Sequence, residues 1–408
     1  MIRSENKEVL EGLFDFVDSV VVPLEKAHAR ELDDPWRMYQ PNGAYSDTVK
    51  GLLQRVRQES AKGGYYSMFA PESIGGGGCG PDLLYEVWRG LHARYGPGRP
   101  LPFASVGHWS YGPSHLYASM TADAQTEYLG RVMDGTLTSC FAMSEPEAGS
   151  DSWAMSTTAR RDGDDWVIDG TKQWITNSPE ADCVFVFAVT DNERRKKRAG
   201  GISCFVVPTS TPGFALDSVI SLFGQNGGRE GILSFSEVRV PPSALVGELH
   251  EGFALAMAGV STGRLYNAGR CVGLAQWALD KAAEFSAQRE TFGKPIAEYQ
   301  GVSFQLADCA LDVYAADLMA RDCADRLAAG QRADDFVAMA KVYGTEACFR
   351  VYDRCMQVFG GMGLTNEMKL TDGWHQARIV RIADGSAEIL RRNIARSLTR
   401  GRLRAEQL

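Results

Sequence analysis

Between about Leu137 and Val246 the apolar residues fall into short runs rich in β-branched and aromatic side chains, while on both sides they recur at helical spacing. A chain patterned this way is neither a pure helical bundle nor a lone sheet. It sets a β region between two helical ones. The expected fold class is α+β, with an N-terminal α-helical domain over 1–135, a middle β-sandwich or barrel over 136–247 and a C-terminal antiparallel helical bundle over 248–408. A length of 408 residues also exceeds what one compact core usually holds.

Local signals place the elements. Val9, Leu10, Leu13, Phe14, Val17 and Val20–Val22 keep helical spacing up to Pro23, which is expected to stop the helix. Ser73–Pro81 holds five glycines and reads as a loop, and helix returns at Leu83–Tyr95. In the middle region Trp166–Ile168 runs into Asp169-Gly170, expected to be a hairpin turn, and then into Lys172–Thr176. Cys183–Val189, Ile202–Val207, Ile232–Phe235 and Val238–Val240 read as further strands, and the charged run Asn192–Arg198 as a solvated loop. Ala268–Arg289, Val302–Ala329 and Asp335–Val358 are long periodic helices.

Composition narrows the function class. A net charge of −8 argues against a protein that grips nucleic acid phosphates. Nine scattered cysteines with no C-x-x-C pair argue against a disulfide framework or a zinc site, so no metal is expected. The first residues lack the apolar core of a signal peptide, and no run of about 18 apolar residues exists. The expectation is a cytoplasmic protein without membrane insertion.

Four segments carry candidate chemistry. Phe141–Asp151 is a polar turn after a strand, whose hydroxyls and amides suit a planar heterocycle or a phosphate. In Lys172–Asn177, strand alternation puts Trp174 and Thr176 on one face, an aromatic ring beside a hydroxyl; taken alone, such a tryptophan also fits a core. Arg289–Pro295 follows a helix; Arg289 could clamp a phosphate or simply oppose the helix dipole, with Gly293 as the helix stop. Gln357–Gly363 has adjacent glycines that permit close backbone approach or end a helix.

In this order and on these textures, the four segments resemble the FAD-dependent acyl-CoA dehydrogenases, as do Pro212-Gly-Phe214, Val238–Pro242 and Gly273-Leu-Ala275. The resemblance covers nearly the whole chain. It implies an N-terminal α domain, a middle β domain and a C-terminal four-helix bundle, with FAD as cofactor, an acyl-CoA substrate, an electron transfer flavoprotein as partner and a homotetramer or homodimer. Matched position by position, Phe141, Met143, Ser144, Gly149 and Ser150 fall where the family meets flavin and acyl chain, and Trp174 and Thr176 on the flavin face. Arg289, Thr291 and Phe292, with Gln357, Gly360 and Gly361, match segments that reach FAD held mainly by a neighbouring subunit. Ser386 and Glu388 match cofactor positions, and Ser150, Arg264 and Arg396 substrate positions. For each arginine a surface ion pair is the plainer alternative.

The family removes a Cα proton from the thioester while hydride leaves Cβ, which requires a carboxylate poised at Cα. Most members place a glutamate before Gly-Thr near the C-terminus; here the matching residue is Asp384, in Arg381–Glu388. A second subgroup carries its glutamate just before the position of Arg264, which is Gly263 here. Three readings follow: Asp384 is the base, Glu388 serves instead, or Asp384 is only a helix N-cap. The first takes precedence, because members with an A-D-G segment exist and Ala383 leaves room for a shorter side chain.

The expected activity is α,β-dehydrogenation of an acyl-CoA to the 2-enoyl-CoA, in fatty acid or lipid catabolism. Alternatives are a flavin oxidase or monooxygenase of the nitroalkane oxidase kind, an acyl-carrier-protein-dependent dehydrogenase, and a non-catalytic flavin-binding paralogue.

Overall fold

The computed structural model describes residues 4–407. The chain forms two compact units. One comprises Asp15–Cys79 and Pro100–Gly259; the other comprises Met1–Phe14, Gly80–Arg99 and Val260–Leu408.

The first unit is built on eight strands: β1 (Ser139–Ala142), β2 (Thr158–Asp162), β3 (Asp165–Thr176), β4 (Cys183–Val189), β5 (Ile202–Pro208), β6 (Phe214–Ile220), β7 (Glu230–Val240) and β8 (Leu245–Val246). They form one sheet in the order β6-β7-β3-β2-β4-β5-β8, with β1 lying parallel beside β4. All seven residues of β4 are buried, which its unbroken apolar run Cys183–Val189 foretells. Phe185, Phe187 and Phe205 fill the core beside it. Helices Asp47–Lys62 and Ala122–Met133 belong to this unit, capped by the hydroxyls of Ser46 and Thr121.

Three local expectations are corrected here. The hairpin turn is Gly163-Asp164, between the paired residues Asp162 and Asp165, with Gly163 at φ 63°. Strand β3 runs on through Asp169-Gly170, and Gly170 serves a close approach instead: a Cβ there would collide with Thr157. The irregularity falls on the facing strand, where β7 carries an extra residue near Glu237 (φ 51°) and so joins Ile232–Phe235 to Val238–Val240 as one strand. Pro23 does not stop its helix. A π-helical turn, Val17–Val21, runs without a break into Val22–Ala27, so the helix continues past Pro23 with its irregular hydrogen-bonding just before the proline. The charged run 192–198 is not a plain loop. Asp191 caps a short helix, Asn192–Lys196, and Arg195 donates to the carbonyls of Trp153 (3.1 Å) and Met155 (2.9 Å).

The second unit is helical. It contains Pro81–Tyr95, the part of Gly252–Gln288 from Val260 onward, Gln300–Ala328, Asp334–Phe359, Leu370–Val380 and Ala387–Thr399. Asp334–Phe359 packs against Gln300–Ala328, Leu370–Val380 and Ala387–Thr399. Leu274, Ala278, Cys309, Val351, Tyr352 and Leu370 form its main core. Gly269 and Gly273 let the backbone of Pro81–Tyr95 approach closely, since a Cβ at either would press on the carbonyl of Tyr85 or Arg89. None of the nine cysteines is in a disulfide, and eight are buried. Among the described residues no helix is long and apolar enough to cross a membrane.

Candidate active site

In the sheet unit, β1 ends in a turn closed by mutual backbone hydrogen bonds between Glu145 and Ala148 (3.1 and 3.2 Å). The carboxylate of Glu145 accepts from the Ser156 amide (2.6 Å), the Ser156 hydroxyl (2.8 Å), the Thr157 amide (3.0 Å) and the buried Lys172 ammonium (2.8 Å). Lys172 also donates to the Met143 carbonyl (3.1 Å), and the Gln173 amide to the Ser144 carbonyl (2.9 Å). The turn is thus stapled to β3. Burial would raise the Glu145 carboxyl, but Lys172 and the donors around it outweigh that and draw it down to about 2. Phe141 packs edge-on to Trp109, ring centroids 5.0 Å apart, and Met143 is buried. Gly149 and Ser150 are exposed, and a Cβ at Gly149 would meet nothing.

Trp174 sits at a bulge. Gln173 pairs with Ile232 and Ile175 with Gly231, so Trp174 is the extra residue, at φ 65°. Its indole is 52% exposed; Thr176 is exposed too, while Ile175 between them is buried. The bulge is backed by Asn177 (φ 69°), whose amide donates to Thr138 Oγ1 (3.0 Å) and the Ser139 carbonyl (2.8 Å). Arg229 Nη2 donates to Asn177 Oδ1 (2.5 Å), with its guanidinium over the Tyr111 ring. Sequence reasoning singled out none of Glu145, Lys172 or Arg229. The available signal was a lysine two residues before Trp174 in β3, together with a glutamate in the tight turn after β1.

In the helical unit, Asp384 lies in the loop joining Leu370–Val380 to Ala387–Thr399. It adopts φ 53° and is followed by Gly385 at φ 94°. Asn267 Nδ2 donates to Asp384 Oδ2 at 2.7 Å. Arg264 Nε donates to the Asp384 carbonyl (2.9 Å), and the buried Lys341 ammonium to the Gly385 carbonyl (2.8 Å). Burial raises the Asp384 carboxyl above the usual aspartate range, against the opposing pull of Lys341, Arg264, Asn267 and Arg270. The N-cap of the following helix is Ser386, whose hydroxyl accepts from the Ile389 amide, so Asp384 is not the cap. Glu388 and Arg396 are exposed on that helix, near its first and last turns. Arg264, matched above to a substrate position, has its Nε on the Asp384 loop.

Gly293 is corrected as a helix stop. Glu290–Thr291 and Lys294–Pro295 pair as a small hairpin with Phe292 (φ 51°) and Gly293 (φ 84°) in the turn. Phe292 is 98% exposed, and Arg289 at the hairpin base is exposed as well. Phe285 stacks on Phe359 with ring centroids 4.3 Å apart, so this hairpin and the turn 360–364 leave the same end of the helical unit. Gln357, Gly360 and Gly361 are exposed, and a Cβ at either glycine would meet nothing.

Residues 140–238 match the acyl-CoA dehydrogenase middle domain, and residues 250–399 the acyl-CoA dehydrogenase C-terminal domain. The short-chain specific acyl-CoA dehydrogenase of Bos taurus mitochondria is 39% identical over 333 residues, 81% of this chain and 79% of its own. The chain belongs to the acyl-CoA dehydrogenase family. The CarC subunit of the caffeyl-CoA reductase-Etf complex of Acetobacterium woodii is 32% identical, over 82% of this chain and 87% of its own. The solved acyl-CoA dehydrogenase of Geobacillus kaustophilus shares the fold, with a TM-score of 0.80 and 24% identity over 97% of this chain and 98% of that one. This acyl-CoA dehydrogenase is accordingly an oxidoreductase acting on CH–CH groups.

Proposed function

We propose that this acyl-CoA dehydrogenase converts an acyl-CoA thioester to the 2-enoyl-CoA and passes the electrons to an electron transfer flavoprotein. FAD is its cofactor, and the residues fit it. Trp174 offers an exposed indole face and Thr176 an exposed hydroxyl beside it. The open backbone at Gly149 and the exposed hydroxyl of Ser150 can take a polar group, and Phe141, Met143 and Ser144 shape the turn that presents them. Arg289, Thr291 and Phe292, together with Gln357, Gly360, Gly361, Ser386 and Glu388, would meet cofactor across subunits. Bound there, FAD supplies the hydride acceptor.

The chain's own chemistry centres on Asp384. It takes the Cα proton of the thioester, and its raised pKa lies closer to that of the carbon acid than an exposed aspartate's would. Ser150, Arg264 and Arg396 are the proposed substrate contacts. The observation that carries this reading is the Asp384 carboxylate, held in a left-handed turn with one oxygen bonded to Asn267.

Assembly as a homotetramer or homodimer is part of the same reading. Phe304, Leu311 and Leu318 stand seven residues apart on Gln300–Ala328 and are 61%, 68% and 48% exposed, an apolar stripe that a second copy would cover. We place the enzyme in the cytoplasm, in fatty acid or lipid catabolism, with three domains over 1–135, 136–247 and 248–408.

Anaerobic mixing with short, long, branched, aromatic and steroidal acyl-CoA thioesters tests the activity. Bleaching of the flavin band by one class supports the dehydrogenase and names the acyl group. Bleaching only by carrier-protein thioesters, or by none, overturns the CoA reading. An aspartate at the base position also fits an oxidase of the nitroalkane oxidase kind, for which oxygen uptake with nitroalkanes would be the signature.

A further inference from the structure

The surroundings of Asp384 contain a group the dehydrogenation chemistry does not by itself demand. Asn267 is 3% exposed, on the helix Gly252–Gln288, three residues beyond Arg264. A buried primary amide on a helix otherwise lined by Leu265, Ala268 and Val272 is costly unless its hydrogen bonds are met. Its Nδ2 donates to Asp384 Oδ2 at 2.7 Å, across 117 residues of sequence. A second buried polar group closes the same loop from another helix: Lys341, fully buried on Asp334–Phe359, donates to the Gly385 carbonyl at 2.8 Å. Arg264 holds the carbonyl of Asp384 itself (2.9 Å). Two successive carbonyls of a left-handed turn are therefore tied to two different helices, and the side chain to a third anchor.

We propose that Asn267 is a positioning residue that holds Asp384 Oδ2 and reserves Oδ1 for the substrate proton, with Lys341 fixing the turn that carries the carboxylate. This rests on the reading of Asp384 as the base. The physical reason lies in the length of the side chain. An aspartate reaches one methylene less far than a glutamate, so its backbone must be held at a set position and its carboxylate at a set rotation to meet Cα. A short base tolerates little slack. Asn267 removes rotation about the last bond, and Lys341 and Arg264 remove movement of the turn.

The charged groups facing Asp384 are Lys341 on one helix and Arg264 and Arg270 on the other, with Asn267 the neutral donor. Each favours the anion, so loss of Asn267 moves the carboxylate further towards its neutral form. Lys341 in turn faces Asp384, Cys271, Arg264 and Glu388.

The test compares wild-type holoenzyme with Asn267→Ala, Asn267→Asp and Asp384→Asn, using butyryl-CoA as probe and whichever thioester bleaches the flavin as a second. Turnover is followed against pH, and the Asp384 carboxyl is titrated by carbon-13 NMR, its resonance assigned by its loss in Asp384→Asn. In Asn267→Ala the midpoint of both curves should rise by about one to two units, and kcat should fall with KM held. Asn267→Asp, which puts a second carboxylate against the first, should raise the midpoint further. An unmoved carboxyl titration together with unchanged kcat in Asn267→Ala overturns the positioning role. Near-normal turnover in Asp384→Asn overturns the base itself, a separate result. If Asn267→Ala does not fold, the aspartate variant carries the same comparison.

Discussion

Lys172 is fully buried, and its ammonium lies 2.8 Å from Glu145 Oε1 inside a protein interior. The pair joins the turn after β1 to β3, and the polar turn residues stand on that joint. Removing one partner strands the other as a buried charge. Glu145→Gln or Lys172→Met should each cost about 3–5 kcal/mol, read from denaturant midpoints of the holoenzyme. An unchanged midpoint would show that the turn is held by other means. The Glu145 carboxyl, raised by burial but pulled down further by Lys172 and its donors, sits at about 2 in the folded protein. A depressed carboxyl contributes stability that is present above its unfolded value and is lost as pH falls through the folded one. The share of acid unfolding owed to Glu145 should therefore come only as pH drops from the ordinary glutamate range towards about 2, and be missing in Glu145→Gln.

Asp384→Asn should keep its yellow colour and lose turnover by about 10²–10⁴-fold, as for a missing general base. The wild-type profile should show activity falling as pH drops through a midpoint above the ordinary aspartate range, because burial holds the carboxyl up and only its ionised form accepts the proton. Near-normal turnover in the variant would remove Asp384 from the chemistry.

Phe292 is 98% exposed at the tip of the hairpin after Arg289. Its exposure means the fold itself gains little from it. Arg289→Ala and Phe292→Ala should leave thermal stability of the apoprotein unchanged within about 0.5 kcal/mol, yet lower the FAD retained per subunit after gel filtration. Full flavin content in both variants would argue against a cofactor contact there.

The stripe Phe304, Leu311 and Leu318 follows a seven-residue repeat on the helix Gln300–Ala328. Leu311→Lys should lower the mass measured by light scattering to that of a smaller assembly while the helical content is kept. An unaltered mass would place the interface elsewhere.

Gly170→Ala should destabilise by more than about 1 kcal/mol, since φ +150° is strained for alanine and its methyl would collide with Thr157. Urea unfolding measures it, and a neutral result would mean that β3 can shift at that point.

Helix and strand textures were legible because periodicity is local: a strand alternates and a helix repeats whether or not its partners are known. Thus Cys183–Val189 and Asp334–Phe359 could be placed from the pattern within a few residues. Turns were less legible. Asp169-Gly170 and Asp162-Gly163 look alike in sequence, yet the first runs on within β3 beside β2 and β7 while the second lies where β2 turns into β3.

The order of helical, strand and helical regions and the absence of a disulfide pattern were determined by the residues alone; Asp384 as the base is what the family resemblance implies. What surrounds Asp384 was not. Asn267 stands 117 residues earlier and Lys341 is 44 residues from Gly385, and nothing in their local spacing links them. The bulge at Trp174 and the buried pair of Glu145 and Lys172 are likewise products of packing. A side chain's hydrogen-bond partners depend on which elements the core brings side by side, and that choice is made by the whole fold rather than by any segment.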